Sequence, residues 1–357
     1  MQWGIFEAKI KYDILDKSLV KELNNITLSN NVNIIIDLKQ IYRKMFRNSV
    51  ELDSNDPNYL TLETERITSD IIGIISHYRN YFYKNKKYTK FYFLYSESEC
   101  ELFKAIYPDY KKEYYDKYFN GDNIDKIDLI KRVNAALKVV INLIPNCTYI
   151  NTSDFDELVY AAAITSNSIN ELNLVLTNDE TFFQLINNNT YCLNLHGNAS
   201  EIIKPDNFYK NILENNSLET NLTHKIFRLI LALAGVKKLS INGINKLGLN
   251  RAYCIIKSFV DDNTLYNNEY LINPFSEEKF NNDNKYSNKI LENIELLKQN
   301  FEVLNYNKYL NENKIMINNK IFTPRKIVSM NTFIELNQRV FRTYPLNVTM
   351  LIKGELI

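Results

Sequence analysis

The sequence predicts an α/β fold: a doubly wound, mostly parallel sheet, then a helical region and a C-terminal α+β extension. Five apolar runs carry the prediction: VNIIID (32–37), FYFLYS (91–96), CTYI (147–150), LNLVLT (172–177) and YCLNL (191–195). They are too continuous for half-exposed strands and too short for helices, which suits strands covered on both faces. Between them lie stretches with apolar residues three and four apart, such as ETERITSDIIGIISHYRNYFYKN, NIDKIDLIKRVNAALKVVINLI and DFDELVYAAAITS. Strands alternating with helices give parallel crossovers. A chain of 357 residues is long enough for one large domain of this kind with additions.

Taken in order, residues 1–30 form a charged, amphipathic N-terminal extension without the apolar core of a signal peptide. The sheet domain spans 31–210. At 211–261, LTHKIFRLILALAGVKKLSINGINKLGLNRAYCIIKSF reads as two helices around a turn punctuated by Gly235, Gly243 and Gly248. The remainder, 262–357, begins Asn-rich, offers one helix (ILENIELLKQNFEVLNYN) and ends in the β-like stretches KIMINNKIFTPRKIVSM and LNVTMLIKGELI. No apolar run approaches the ~20 residues of a membrane span, so the expectation is a soluble, cytoplasmic protein without a membrane partner.

Composition excludes some chemistry. Lys and Arg number 43 against 42 Asp and Glu, so affinity for an acidic polymer has to come from a local patch. Four scattered cysteines and three histidines make a zinc site improbable, and free core thiols in a reducing compartment are expected. Heavy use of Asn, Ile, Lys and Tyr with little Gly and Pro resembles an AT-rich coding sequence, as in some bacteriophages and low-GC bacteria.

Acids fall at the carboxyl ends of the strands, where ligands of open parallel sheets bind. They are Asp37 after VNIII, the group Asp154, Asp156 and Glu157 after CTYIN, and Asp179 after LVLTN. Converging carboxylates repel unless a hard cation neutralises them, which points to Mg²⁺ or Mn²⁺. The alternative is local: Ser153 with Asp156 fits a capping box, and Asn178 or Asp179 fits the cap of ETFFQL.

These segments resemble the 5′ nucleases with a PIN-like domain: flap endonucleases, the 5′ nuclease domains of bacterial DNA polymerases and the phage 5′-3′ exonuclease/RNase H group. IIIDLKQIYRKMF looks like the first strand with its metal Asp, and YPDYKK (107–112) like the start of the substrate-facing arch. DFDELVYAAA looks like the E-A-D-D helix, LTNDETFFQL like the S-x-D-x-D-F-x-Q-L element, and LILALAGVKKLSINGINKLGLNRA like the helix-hairpin-helix. The resemblance implies metal ligation by Asp37, Asp154, Asp156, Glu157 and Asp179, with Lys111 polarising the scissile phosphate. It also implies DNA contacts from Lys111, Lys112, Lys237, Lys238, Gly243, Lys246, Gly248 and Arg251. Lys104, Lys131 and Arg132 sit where the arch threads a flap, and YKNKKYTK (83–90) reads either as a base-stacking run or as an exposed loop.

The pattern also breaks. Where the family has further ligands this chain has Ser96, Thr181, Val236 and Leu239, and the arch arginine falls on Tyr114. Two-metal hydrolysis holds two ions about 4 Å apart, and apolar side chains cannot ligate. The expectation is therefore room for one ion rather than two, through Asp37, Asp154 and Asp156, with Glu97, Glu99 or Glu180 as substitutes if the alignment slips. The leading reading is a 5′-nuclease-like DNA-binding protein with a degraded metal site, catalytically weak or inactive, in a phage replication, recombination or transcription complex. The alternatives are an active Mg-dependent exonuclease or flap endonuclease, and a structural subunit docking a protein partner through 262–357.

Overall fold

The computed structural model describes residues 31–47, 58–84, 86–114, 124–194, 201–205, 224–259, 286–322 and 330–339, with Phe208, Phe275 and Phe341. The N-terminal extension, the Asn-rich start of the last segment and LNVTMLIKGELI lie outside the described residues.

Six strands form one sheet in the order β3-β2-β1-β4-β5-β6. They are β1 (Asn31–Asp37), β2 (Tyr88–Tyr95), β3 (Cys147–Asn151), β4 (Leu172–Leu176), β5 (Thr190–Asn194) and the short edge strand β6 (Glu201–Ile203). β1 to β5 are parallel and β6 is antiparallel to β5. Strand order reverses at β1, so the ligand crevice of such a sheet opens beyond the carboxyl ends of β1 and β4.

The apolar runs are continuous because both faces are covered. Ile34, Ile36, Phe91, Phe93, Leu174 and Leu176 pack into the layer of helices α2 (Tyr59–Lys84) and α4 (Ile124–Leu143). The alternate residues Ile35, Tyr92, Leu94 and Val175 face the layer that holds α5 (Asp156–Asn167) and α6 (His224–Ala234). Helices α1 (Leu38–Arg47) and α3 (Glu101–Ile106) follow β1 and β2 directly. Asn33 and Asn173, buried polar residues in neighbouring strands, bond each other at 3.0 Å, so the sheet carries them without orphaned amides.

Beyond α6 the chain makes a two-stranded hairpin, β7 (Gly235–Val236) and β8 (Ile241–Asn242), and enters α7 (Leu249–Phe259). The later helices are α8 (Ser287–Leu291), α9 (Ile294–Val303), α10 (Tyr306–Ile321) and α11 (Met330–Arg339). Residues of α9 and α10, among them Leu297, Phe301, Leu310 and Ile317, share the core of α5 and α6.

Several sequence expectations are corrected. KIMINNKI is helical: Leu310, Ile317 and Ile321 form one buried stripe at helical spacing, while Ile315 and Met316 are exposed, so the alternation of apolar residues there is not a strand period. The helix expected over ILENIELLKQNFEVLNYN is interrupted at Glu292–Asn293 and again after Val303. β2 starts at Tyr88, so the end of YKNKKYTK belongs to the sheet rather than to a loop. Ser153 makes no capping box: its Oγ accepts from the amides of Glu97 and Ser98 at 3.0 and 3.1 Å, stapling the loop after β2. Asp179 does cap the 3₁₀ turn Glu180–Leu185, accepting from Thr181 N at 3.0 Å.

Two glycines have steric causes. Gly235 ends α6 at φ +75° in the left-handed region, and a Cβ on Gly243 would stand 2.1 Å from the Ala234 carbonyl carbon. Gly243→Ala is expected to cost about 3 kcal/mol or more, since backbone cannot yield as a side chain does. Urea unfolding checks this, and Gly248→Ala, whose Cβ meets nothing within 4 Å, is the control.

Candidate active site

β1 delivers Asp37 to the sheet edge with zero exposure. Its Oδ1 accepts from Lys39 N at 3.1 Å and its Oδ2 from the Thr177 hydroxyl at 3.0 Å, just past the end of β4. Thr177 Oγ1 in turn accepts from Asp179 N at 3.0 Å. The turn after β3 brings Asp156 and Glu157 to the same edge at the start of α5, both buried. Asp37, Asp156, Glu157 and Asp179 therefore converge at the switch point.

Two lysines enter the group. Glu157 Oε2 accepts from Lys39 Nζ at 2.7 Å and from Lys111 Nζ at 2.8 Å, and its Oε1 accepts from Ser96 N at 3.1 Å. Lys111 Nζ also donates to Asp156 Oδ2, which takes a second bond from Tyr110 OH at 2.7 Å. Both partners of that ion pair sit on left-handed backbone, Lys111 at φ +55° and Asp156 at φ +75°. Such strain persists only where the surroundings enforce it.

The charges follow from these contacts. Burial alone would depress the Lys111 ammonium, but Asp156 and Glu157 outweigh it and hold it well above the ordinary lysine value. Burial would raise Glu157; Lys111 and Lys39 overcome that and hold its carboxyl far below the usual range. For Asp156 burial prevails over Lys111 and the carboxyl is raised. Asp37 is pushed up to about 6 by burial, with Glu157 and Asp179 adding to the shift and Lys39 opposing it.

The structure parts other expected residues from the group. Asp154 has other partners: it accepts from Tyr160 OH and from Lys320 Nζ of α10, each at 2.8 Å. The triad Asp37, Asp154 and Asp156 thus does not assemble. Glu97 pairs with Lys138 and Asn151, Glu99 with Lys104, and Glu180 with Lys238. Lys111 is only 2% exposed, and its ammonium pairs with Asp156 and Glu157 inside the chain. Val236 and Leu239 are buried, and Leu239 O accepts from Lys111 N at 2.7 Å. Leu239, Thr181 and Asp156 line a void of about 10 Å³ together with Val303, Leu304 and Tyr306. That is at the lower limit for one water.

A pair of divalent ions does not fit this arrangement. The carboxylate oxygens already accept from ammonium, hydroxyl and amide donors of the chain, and the buried Val236 and Leu239 supply no side-chain ligand. Among the described residues no three His, Cys, Asp or Glu are grouped to hold a metal ion.

The remaining expected contacts surround the hairpin. Lys112 and Lys237 flank an open cavity of about 520 Å³ whose wall includes Gly235, Ser240, Asn242 and Gly243. Lys246 and Gly248 are exposed, as is Arg251, which donates to Lys246 O at 3.1 Å. Lys238 is turned inward, to Asn178 O and Glu180. Lys131 and Arg132 lie exposed on α4, Arg132 paired with Asp128. Sequence reasoning missed Lys39, Tyr110 and Thr177. Lys39 is two residues past the acid at the end of β1, the one available signal, and in a lysine-rich chain it carries little weight.

The parallel sheet, its switch point and the flanking helices define the fold of the 5′ nucleases. Two solved structures carry the likeness: the zinc-bound 5′-exonuclease of bacteriophage T5, and the T5 flap endonuclease in a pseudo-enzyme–product complex with DNA and metal ions. The first is 14% identical with a TM-score of 0.55, over 88% of this chain and 99% of that one. The second is 14% identical with a TM-score of 0.53, over 90% and 98%. A match of that extent runs into the segment after residue 261. No protein-family model and no curated protein matches the chain in sequence. Among the described residues no helix is long and apolar enough to cross a membrane.

The Asp37 carboxyl titrates near 3.8 when exposed and near 6 when folded. Between those values the folded chain binds more protons than the unfolded one, so stability falls as pH rises through the window and levels off above it. Asp37→Asn removes the buried charge and is expected to stabilise the chain at pH 7 by up to about 3 kcal/mol, with little effect at pH 4. Urea titrations at the two pH values check it; equal effects at both would contradict the assignment.

Proposed function

We propose that this chain is a 5′-nuclease-like DNA-binding protein whose two-metal centre has become a self-neutralised cage, leaving it catalytically weak or inactive. The observation that carries the reading is Glu157 held between Lys39 and Lys111, at 2.7 and 2.8 Å. Two-metal hydrolysis needs cations that reach both the attacking and the leaving oxygen. Here the positive charge is covalently fixed, 2% and 6% exposed for Lys111 and Lys39, and faces carboxylates rather than solvent. Such a chain serves as a binding component of a phage replication, recombination or transcription complex.

Duplex, flap or nicked DNA is the partner supported by the fold and by the hairpin side, where Lys112 and Lys237 flank the open cavity and Lys246 and Arg251 are exposed. Contacts of this kind neutralise phosphates and position the protein without reading sequence.

Incubation with end-labelled flap and nicked duplexes in Mg²⁺ and Mn²⁺ is expected to give no turnover above a protein-free control. Clear turnover that disappears in Asp156→Ala refutes the pseudo-enzyme reading. Fluorescence anisotropy on a nicked duplex is expected to show affinity that falls steeply with salt. The logarithmic salt slope should drop by about one for each of Lys237→Ala, Lys246→Ala and Arg251→Ala that removes a phosphate contact; slopes unchanged in all three would argue against this face.

A further inference from the structure

We infer that Asn300, on α9 of the C-terminal segment, is a positioning residue for the hairpin between α6 and α7, and that this segment is the hairpin's brace. The inference rests on the DNA-binding reading for its function, though not for its geometry. Asn300 is fully buried, and its Nδ2 donates to Ala232 O at 2.9 Å and Asn242 O at 2.7 Å. Ala232 lies in the last turn of α6, where helix carbonyls have no partner within the helix. Asn242 ends the return strand β8, directly before Gly243. One amide group thus ties the end of the first helix to the strand that leads into the turn.

The neighbouring contacts make that tie specific. Ile244 N donates to Leu233 O at 2.9 Å, so the next carbonyl of α6 is also answered from the hairpin. Gly243 passes so near Ala234 that the turn cannot approach the end of α6 further, as the missing Cβ shows. Asn300 holds β8 against the end of α6. Arg228 fastens the same pair of helices one turn away: it donates to Asn305 Oδ1, and its guanidinium lies 4.0 Å from the centroid of the Phe301 ring.

Asn300 Oδ1 is buried without a hydrogen-bond partner among the described residues. A buried amide with an unanswered acceptor is a poor choice for packing alone. Its retention in this core is accounted for by the two donor bonds, which a leucine of similar size could not make. The hairpin so fixed carries Gly243, Lys246 and Gly248 and leads to Arg251 on α7.

The test uses the full chain and Asn300→Leu, which keeps the volume and removes both donors. Hydrogen exchange is expected to show at least a tenfold loss of protection at the Ile244 amide, with the β1 amides of Ile34 to Ile36 unchanged. Affinity for a nicked duplex should fall about tenfold with the salt slope unaltered, since no charge is removed. Should Asn300→Leu fail to fold, Asn300→Ser is read by the same two measurements. Unchanged protection at Ile244 in a folded variant overturns the brace; lost protection with unchanged affinity overturns its role in DNA positioning. A wild-type chain that binds no duplex overturns the DNA-binding reading, while exchange at Ile244 still decides the geometry.

Discussion

Glu157 between Lys39 and Lys111 is the interaction on which the centre of this molecule depends. Four carboxylates meet at the switch point of the sheet, and the burial of Asp37 and Glu157 is complete. A carboxylate taken out of water is tolerated only when paired and hydrogen-bonded. Two ammonium groups meet that demand for Glu157 and Asp156, while Asp37 relies on Thr177 and the Lys39 amide and titrates high. Breaking one buried pair would leave the others uncompensated, so the cage holds or fails as a unit.

The cage is lined by parts of the chain distant in sequence. Leu239 accepts the Lys111 amide and lines the void beside Asp156, as do Val303, Leu304 and Tyr306. Lys320 pairs with Asp154. The segment after residue 261 therefore contributes both to the wall of the void beside Asp156 and, through Asn300, to the hairpin.

The sheet was legible in the sequence because strands covered on both faces leave an unbroken apolar record, and because acids that follow three of the five runs mark the crevice. Asp37, Asp156, Glu157 and Asp179 were readable for that reason. Asp154 and Asp156, two residues apart, have different partners, Tyr160 and Lys320 for the first and Tyr110 and Lys111 for the second, which spacing does not reveal. Lys39 was hidden by the abundance of lysine, and Lys111 was legible as a residue but not as a buried one. The isoleucines of α10 imitated a strand because β-branched residues carry that propensity until a tertiary face selects the helical stripe. Asn300 had no signal, since asparagine is common in this chain and its partners lie about 60 residues away.

The most direct test of the central claim is the thermal midpoint of chelator-stripped protein titrated with Mn²⁺ and Mg²⁺. A ligand that binds only the folded chain raises the midpoint with concentration. A centre whose charge is already balanced by Lys39 and Lys111 predicts a flat midpoint up to millimolar ion. A rise of several degrees that is lost in Asp156→Ala would show that metal ions still supply the missing charge, and would contradict the account.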